Sequence, residues 1–148
     1  MKTRMLLPVM LIAGLQLSAQ QTEFSNYDWP ASPARISTDT VKPVDGSLIT
    51  LERRITEVYA NAGGEFEEIN VFHRKIRVTT HDALNANNKI YIPVDNVIEI
   101  LRIKARFISP DGSITELPEK SIRQIDNLDN KGNYKTFAIE GAVTGGEI

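Results

Sequence analysis

The stretch "RIKARFISPDGSITEL", residues 102–117, decides the fold class of this chain. Basic and apolar residues alternate up to Phe107, and this period of two predicts a half-buried strand. Pro110 presets the backbone for a tight turn, and Gly112 accepts the positive φ that such a turn requires. The residues after Gly112 return as a second strand, so the stretch predicts an antiparallel hairpin.

The same alternation divides the first strand of this hairpin into two faces. One face carries Val97, Leu101, Ile103, Ala105 and Phe107, and the other carries Arg102, Lys104 and Arg106. A register slip of one residue would bury three cations without partners, which is costly. We therefore expect Leu101, Ile103 and Phe107 to be buried and the three cations to be exposed.

Strand patterns also occur before this hairpin. Residues 47–60 alternate with a period of two, and "NAGG" (61–64) permits a hairpin reversal. The returning strand changes phase near Val71 and Phe72, which predicts a β-bulge there. "HDALNANNK" (81–89) is interpreted as a polar loop, and "IYIP" (90–93) as a short strand at an edge or end, because Pro93 cannot donate to a ladder.

The remaining segments complete an all-β pattern. Residues 118–133 are predicted to be a connection with one helical turn after Pro118, and "YKTFAIE" (134–140) is predicted to be a strand. Every long element has the period of a strand, and none has a sustained helical period. The sequence thus predicts an antiparallel all-β domain with a sandwich-like architecture.

The N-terminus has the order of a secretory signal peptide. Lys2 and Arg4 precede a largely apolar run that is too short to cross a bilayer, and Ala19 is the best cleavage position. The predicted organisation is a signal peptide at 1–19, an extended proline-containing leader at 20–45 and the β domain at 46–148. We expect an exported protein, periplasmic or extracellular. The leader either lies on the domain, with Trp29 as an anchor, or is a disordered tail.

Composition excludes several classes of function. The chain has no cysteine, so it can have neither a disulfide nor a cysteine nucleophile, and no lipid-accepting cysteine follows the predicted signal. Its formal net charge is −2, and loss of Lys2 and Arg4 makes it more negative, which disfavours nucleic acid as a partner. We expect no cofactor and no membrane span in the mature chain.

No catalytic or metal-binding constellation is apparent in the sequence. His73 and His81 do not have a recognised metal-ligand spacing. Glu67 and Glu68 are adjacent, so in a strand they point to opposite faces and cannot act as an acid/base pair. "DNLDNKG" (126–132) matches a calcium-binding loop at only some of its ligand positions, because a lysine and an alanine occupy two others. It is therefore interpreted as a turn.

One candidate binding surface remains, the stripe formed by Arg102, Lys104 and Arg106. It offers three like charges to an anionic ligand, and Arg74 and Arg77 are candidates to extend it. The alternative is the solvent face of a strand whose other face is buried, a common arrangement. No catalytic, cofactor-binding or metal-binding residue is assigned.

The order of these pieces resembles a known bacterial domain of unknown function that precedes a transglutaminase-like domain in exported proteins. The resemblance rests on residues 48–78, on "ILRIKARFISPDGSITEL" (100–117) and on "YKTFAIEGAVTGGEI" (134–148), and it covers 46–148. It implies a non-catalytic accessory module whose partner is a C-terminal transglutaminase-like domain. It transfers no site residue to this chain.

One further expectation concerns the C-terminus. The family's last segment continues into a full strand, so we expect residues 1–148 to be a fragment cut at the domain's last strand. Glu147 and Ile148 would be the first residues of that strand. The competing hypothesis is an independent extracytoplasmic module that binds glycans or peptides through the basic stripe.

Overall fold

The computed structural model describes residues 23–31 and 41–148. The predicted signal peptide, 1–19, and part of the predicted leader lie outside the described residues. In the described ranges the protein consists mostly of strands in antiparallel sheets, which confirms the all-β prediction. The strands are β1 (Ser47–Ala60), β2 (Phe66–Val78), β3 (Lys89–Pro93), β4 (Arg106–Ile108), β5 (Ile114–Glu116), β6 (Arg123–Ile125) and β7 (Tyr134–Ala138). The packing of the sheets as a sandwich stays a prediction.

Strands β1 and β2 form a long hairpin, as predicted. Its turn is fixed by Asn61, whose side-chain oxygen accepts hydrogen bonds from the backbone N–H groups of Gly63 and Glu65. The predicted bulge at Val71 and Phe72 is wrong, because the register shifts between Ile49 and Leu51 in β1 instead. The apolar pattern of β2 changes phase because the part of the strand near Val78 is buried on one face, whereas the part nearer the hairpin turn is covered on the opposite face.

The remaining strands form two smaller units. β3, β7 and β6 pair in that order, and β4 pairs with β5. The predicted turn after Pro110 is confirmed, since Gly112 has a φ of +92°. A single helical turn after Pro118 is also confirmed as a 3-10 helix at Glu119–Ser121; a second follows at Leu128–Asn130.

The polar segment after β2 is a helix, not the predicted loop. Helix α2 spans His81–Asn88, and α1, a single turn in the leader, spans Glu23–Asn26. The Oγ1 atom of Thr80 accepts a hydrogen bond from the N–H of Ala83 and so caps α2. Ala83 and Leu84 are buried, and this burial holds the helix against β2.

The predicted burial of residues 97–107 is correct only at its end. Phe107 is fully buried, but Leu101 is 53% exposed and Ile103 is only partly buried, so their predicted burial is wrong. The strand β4 is short and begins at Arg106, and residues 99–105 form no ladder with another described strand. No described strand therefore covers Leu101.

Residues 146–148 join the two hairpins into one sheet. Ile148 exchanges two backbone hydrogen bonds of 2.8 Å with Ile76 in β2, and Glu147 exchanges bonds of 2.8 and 2.9 Å with Ile108 in β4. Gly146 lies over Phe107, and an added Cβ there would overlap the ring. Glu147 forms isolated bridges to Arg77 and Ile108 outside any assigned strand, and Ile148 packs against the core. That these two residues begin the last strand of a truncated domain stays a prediction.

Candidate functional site

The basic stripe lies beside the leader, and its three members differ in exposure. Arg102 and Lys104 are exposed, as predicted. Arg106 is only 8% exposed, so the prediction of an exposed third cation is wrong. The physical reason is Trp29, whose ring lies 4.6 Å from the Arg106 guanidinium and covers it.

Residues 24–29, which we call the leader segment, engage every member of the basic stripe. The Arg102 side chain donates hydrogen bonds to the backbone oxygens of Phe24 and Tyr27, at 3.2 and 2.7 Å. Lys104 forms a 2.8 Å ion pair with Asp28. Of the two alternatives for the leader, anchoring on the domain is correct for this segment.

The leader segment also contacts the β1–β2 hairpin. The backbone N–H of Phe24 donates to a carboxylate oxygen of Glu57 at 2.9 Å. The Tyr27 hydroxyl lies 2.7 Å from Nδ1 of His73, and the Arg53 guanidinium stacks over the Tyr27 ring at 5.1 Å. The leader segment therefore bridges the hairpin and the basic stripe.

His73 is a half-buried histidine surrounded by cations. Burial lowers the pKa of His73 below its ordinary value, and the positive charges of Arg106, Arg53 and Lys75 lower that pKa further. A neutral imidazole can accept a hydrogen bond from the Tyr27 hydroxyl. Protonation of Nδ1 would remove this acceptor, so we expect the contact with Tyr27 to weaken when His73 is charged.

A buried ion cluster stands where residues 146–148 enter the sheet. The Glu147 carboxylate is 3% exposed and pairs with Arg77 at 2.7 Å and with Lys75. Burial alone would raise the pKa of Glu147, but hydrogen bonds from Lys75 and Arg77 outweigh that effect and lower the pKa. The site holds one anion between two cations, with its charge fixed at neutral pH.

Beyond this cluster two strand edges pair with no described residue. One edge is the outer side of β2 at Phe72 and Arg74, and the other is formed by residues 99–106. We call the gap between them the strand slot. Among the described residues, the only backbone hydrogen bonds that reach into the gap are those of residues 145–148, at its closed end.

A groove of about 570 Å³ adjoins the basic stripe and is bordered by the 3-10 helix at Glu119–Ser121 and by β6. Four cations line it: Arg102 and Lys104 of the basic stripe, with Arg123 and Lys135. Glu116 and Glu119 contribute carboxylates, so cations outnumber carboxylates in the lining.

The other candidate residues are not brought together. Arg74 pairs with Glu52 at 2.8 Å on the exposed face of the hairpin, so it does not extend the basic stripe. His81 begins α2, and across residues 23–31 and 41–148 there is no group of three or more histidines and carboxylates that could hold a metal ion. In the same ranges no helix is long and apolar enough to cross a bilayer.

Sequence reasoning gave the docking of the leader as one of two alternatives and missed the burial of Glu147. The aromatic residues Phe24, Tyr27 and Trp29 recur at short intervals in the leader, and that recurrence was the available signal for docking. The sequence around Glu147 does not indicate its burial, because its ion-pair partners lie in β2.

Comparison with known proteins adds no relative to this description. A scan of protein-family models, a search of curated protein sequences and a search of solved structures each find no significant match to the chain.

Proposed function

We propose that this chain is a non-catalytic accessory β domain of an exported protein, and that it acts by packing against a transglutaminase-like partner domain. The observation that carries this proposal is the strand slot, whose two edges pair with no described residue beyond 145–148. Unpaired strand edges are strong templates for pairing with further polypeptide, either a following segment of the same chain or a partner domain. A role in binding protein surface follows from this geometry more directly than a role in chemistry.

Exposed apolar side chains near the slot support a polypeptide partner. Phe72 is 55% exposed, Leu101 is 53% exposed, and Ile98 extends fully into solvent. The outer part of the hairpin adds Phe66, which is 81% exposed. A contiguous apolar surface marks contacts with other proteins, and in this proposal these exposed side chains contribute to one.

The partner domain is tested first at the level of the gene. We expect the natural reading frame that contains these residues to encode a domain with cysteine, histidine and aspartate in transglutaminase-like order. That domain, expressed separately, should bind this chain in isothermal titration calorimetry. A reading frame without such a domain, or a domain that does not bind, contradicts the proposal.

The competing function is an independent module that binds anionic glycans or peptides. The groove beside residues 100–105 favours it, because Arg123 and Lys135 face a space of about 570 Å³. A sulphated oligosaccharide should then bind with an affinity that falls steeply with salt, and R123Q should weaken it. Binding that is absent at low ionic strength eliminates this alternative.

A further inference from the structure

The leader segment is held on the domain by side-chain contacts rather than by a strand ladder. Among the described residues, no hydrogen bond joins its backbone to the backbone of residues 41–148. Arg102 binds two of its carbonyl oxygens, and Lys104 pairs with Asp28. The Phe24 and Tyr27 rings lie 4.7 and 5.1 Å from arginine guanidinium groups. Exposed ion pairs and cation–π contacts are individually weak, so docking is favoured by a small margin that a single charge can reverse.

His73 lies under two of the three aromatic side chains of the leader segment. Its Nδ1 atom is 2.7 Å from the Tyr27 hydroxyl oxygen. The centroid of its ring is 6.0 Å from that of Tyr27 and 5.8 Å from that of Trp29. The imidazole is half-buried in this position. Docking of the leader segment and burial of His73 are therefore parts of the same contact.

The charges that act on His73 come from three strands, and all of them are positive. Arg53 is its cross-strand partner on β1, Lys75 lies two residues further along β2, and Arg106 lies on β4. The leader segment presents the Tyr27 hydroxyl and the Trp29 ring to the imidazole. A proton on His73 would thus add a further cation to a cationic surrounding.

The carboxylates of this region stabilise groups other than His73. Asp28 pairs with Lys104, and Glu57 accepts a hydrogen bond from the backbone N–H of Phe24. Glu147 lies between Lys75 and Arg77. Burial and the three cations all act on the pKa of His73 in the same direction and hold it below 6.5.

Docking of the leader segment and protonation of His73 oppose each other. Burial is the largest cause of the lowered pKa of His73, and the Tyr27 and Trp29 rings contribute to that burial. When the leader segment leaves, water reaches the imidazole, and its charged form becomes less costly. The undocked state therefore binds the proton more tightly, and by linkage the proton favours undocking. For each pH unit between the His73 pKa values of the two states, the docking equilibrium changes about tenfold.

We propose that the leader segment is a pH-dependent latch, which a proton on His73 releases from the β1–β2 hairpin and from the basic stripe. Release uncovers the Arg106 guanidinium, which the Trp29 ring covers in the docked state. It also removes the bridge that the leader segment forms between the hairpin and the basic stripe. All the groups of the latch belong to this chain, so the inference does not depend on the proposed partner domain.

The test combines an NMR titration of the histidine rings with acrylamide quenching of Trp29, the single tryptophan of the full chain. We expect His73 to titrate below pH 6.5, and Trp29 quenching to rise with the same midpoint. The far-ultraviolet circular dichroism spectrum should stay constant through this transition, because the sheets remain folded. H73Q should abolish the rise in quenching. H81Q, which removes the other histidine of the chain, should leave the rise unchanged.

A fixed charge tests the direction of the effect. H73R places a permanent cation under the leader segment, so Trp29 quenching at neutral pH should match the level that the wild type reaches at acidic pH. The matched control is H81R, the same change at the exposed start of α2, which should keep Trp29 protected.

The reciprocal measurement does not require H73R to fold. W29A removes one of the rings that bury the imidazole, so the pKa of His73 should rise towards 6.5. An unchanged pKa of His73 in W29A overturns the inference. A quenching transition that persists in H73Q, or a Trp29 that stays protected in folded H73R, also overturns it.

Discussion

The substitution E147Q perturbs the ion cluster at the entrance to the strand slot with the smallest change in shape. Glutamine keeps the volume and the backbone pairing of Glu147, but it leaves Lys75 and Arg77 without their shared anion. Removing one member of a buried ion pair costs about 3–5 kcal/mol. The side chains of Lys75 and Arg77 are 14% and 19% exposed, so both cations can recover some hydration. We therefore expect a loss near the lower limit, about 3 kcal/mol.

The pH dependence gives an independent check of the same cluster. The folded state lowers the pKa of Glu147 from its usual value of 4.5. Its contribution to the free energy of unfolding is therefore present above pH 4.5, and it is lost as the pH falls through the lowered pKa. The difference in stability between the wild type and E147Q should be largest near neutral pH and should shrink below pH 4.5.

Urea denaturation followed by circular dichroism at several pH values measures both effects. The matched control is E52Q, because Glu52 also pairs with two arginines but lies on the exposed face of the hairpin. This control should change stability much less than E147Q at neutral pH. If E147Q and E52Q unfold at the same urea concentration, the cluster does not stabilise the sheet and the reasoning is refuted.

Three other predictions concern the core, the closing residues and the leader. F107A removes a fully buried ring and should cost about 3–5 kcal/mol, whereas L101A, at an exposed side chain, should hardly change thermal unfolding; equal losses contradict the face assignment. G146A introduces a Cβ that overlaps the Phe107 ring, so the melting temperature should fall by at least about 4 °C, and an unchanged value excludes this packing. The lowered pKa of His73 means that its contribution to stability is present above pH 6.5 and is lost as the pH falls through the lowered value. The wavelength of Trp29 fluorescence emission should shift as the pH passes through that range. If the shift persists in H73Q, another group is responsible.

The features predicted correctly from sequence are those with local causes. A period of two indicates a strand, and the residues at Asn61 and Gly112 favour reversal whatever surrounds them. Helix α2 was missed although a local signal existed, since Thr80 precedes the first turn and can cap it. The interpretation as a loop gave more weight to its polar composition than to that cap.

The features that were missed depend on contacts between distant parts of the chain. Arg106 has the sequence context of an exposed strand residue, and only the docking of Trp29 buries it. Leu101 has the context of a core residue, but no described strand covers it. Alternation assigns residues to faces correctly, yet it does not indicate which face a neighbouring segment covers.

Amide hydrogen exchange measured residue by residue by NMR tests the open strand slot most directly. In the chain alone, the amides of Ile76 and Ile108 should exchange slowly because residues 146–148 bond to them, while those of Phe72 and Arg74 should exchange nearly as fast as in an unfolded chain. Saturation with the transglutaminase-like domain should slow exchange at Phe72 and Arg74 by at least about tenfold. Protection of these two amides before that domain is added, or its absence at saturation, would contradict the account.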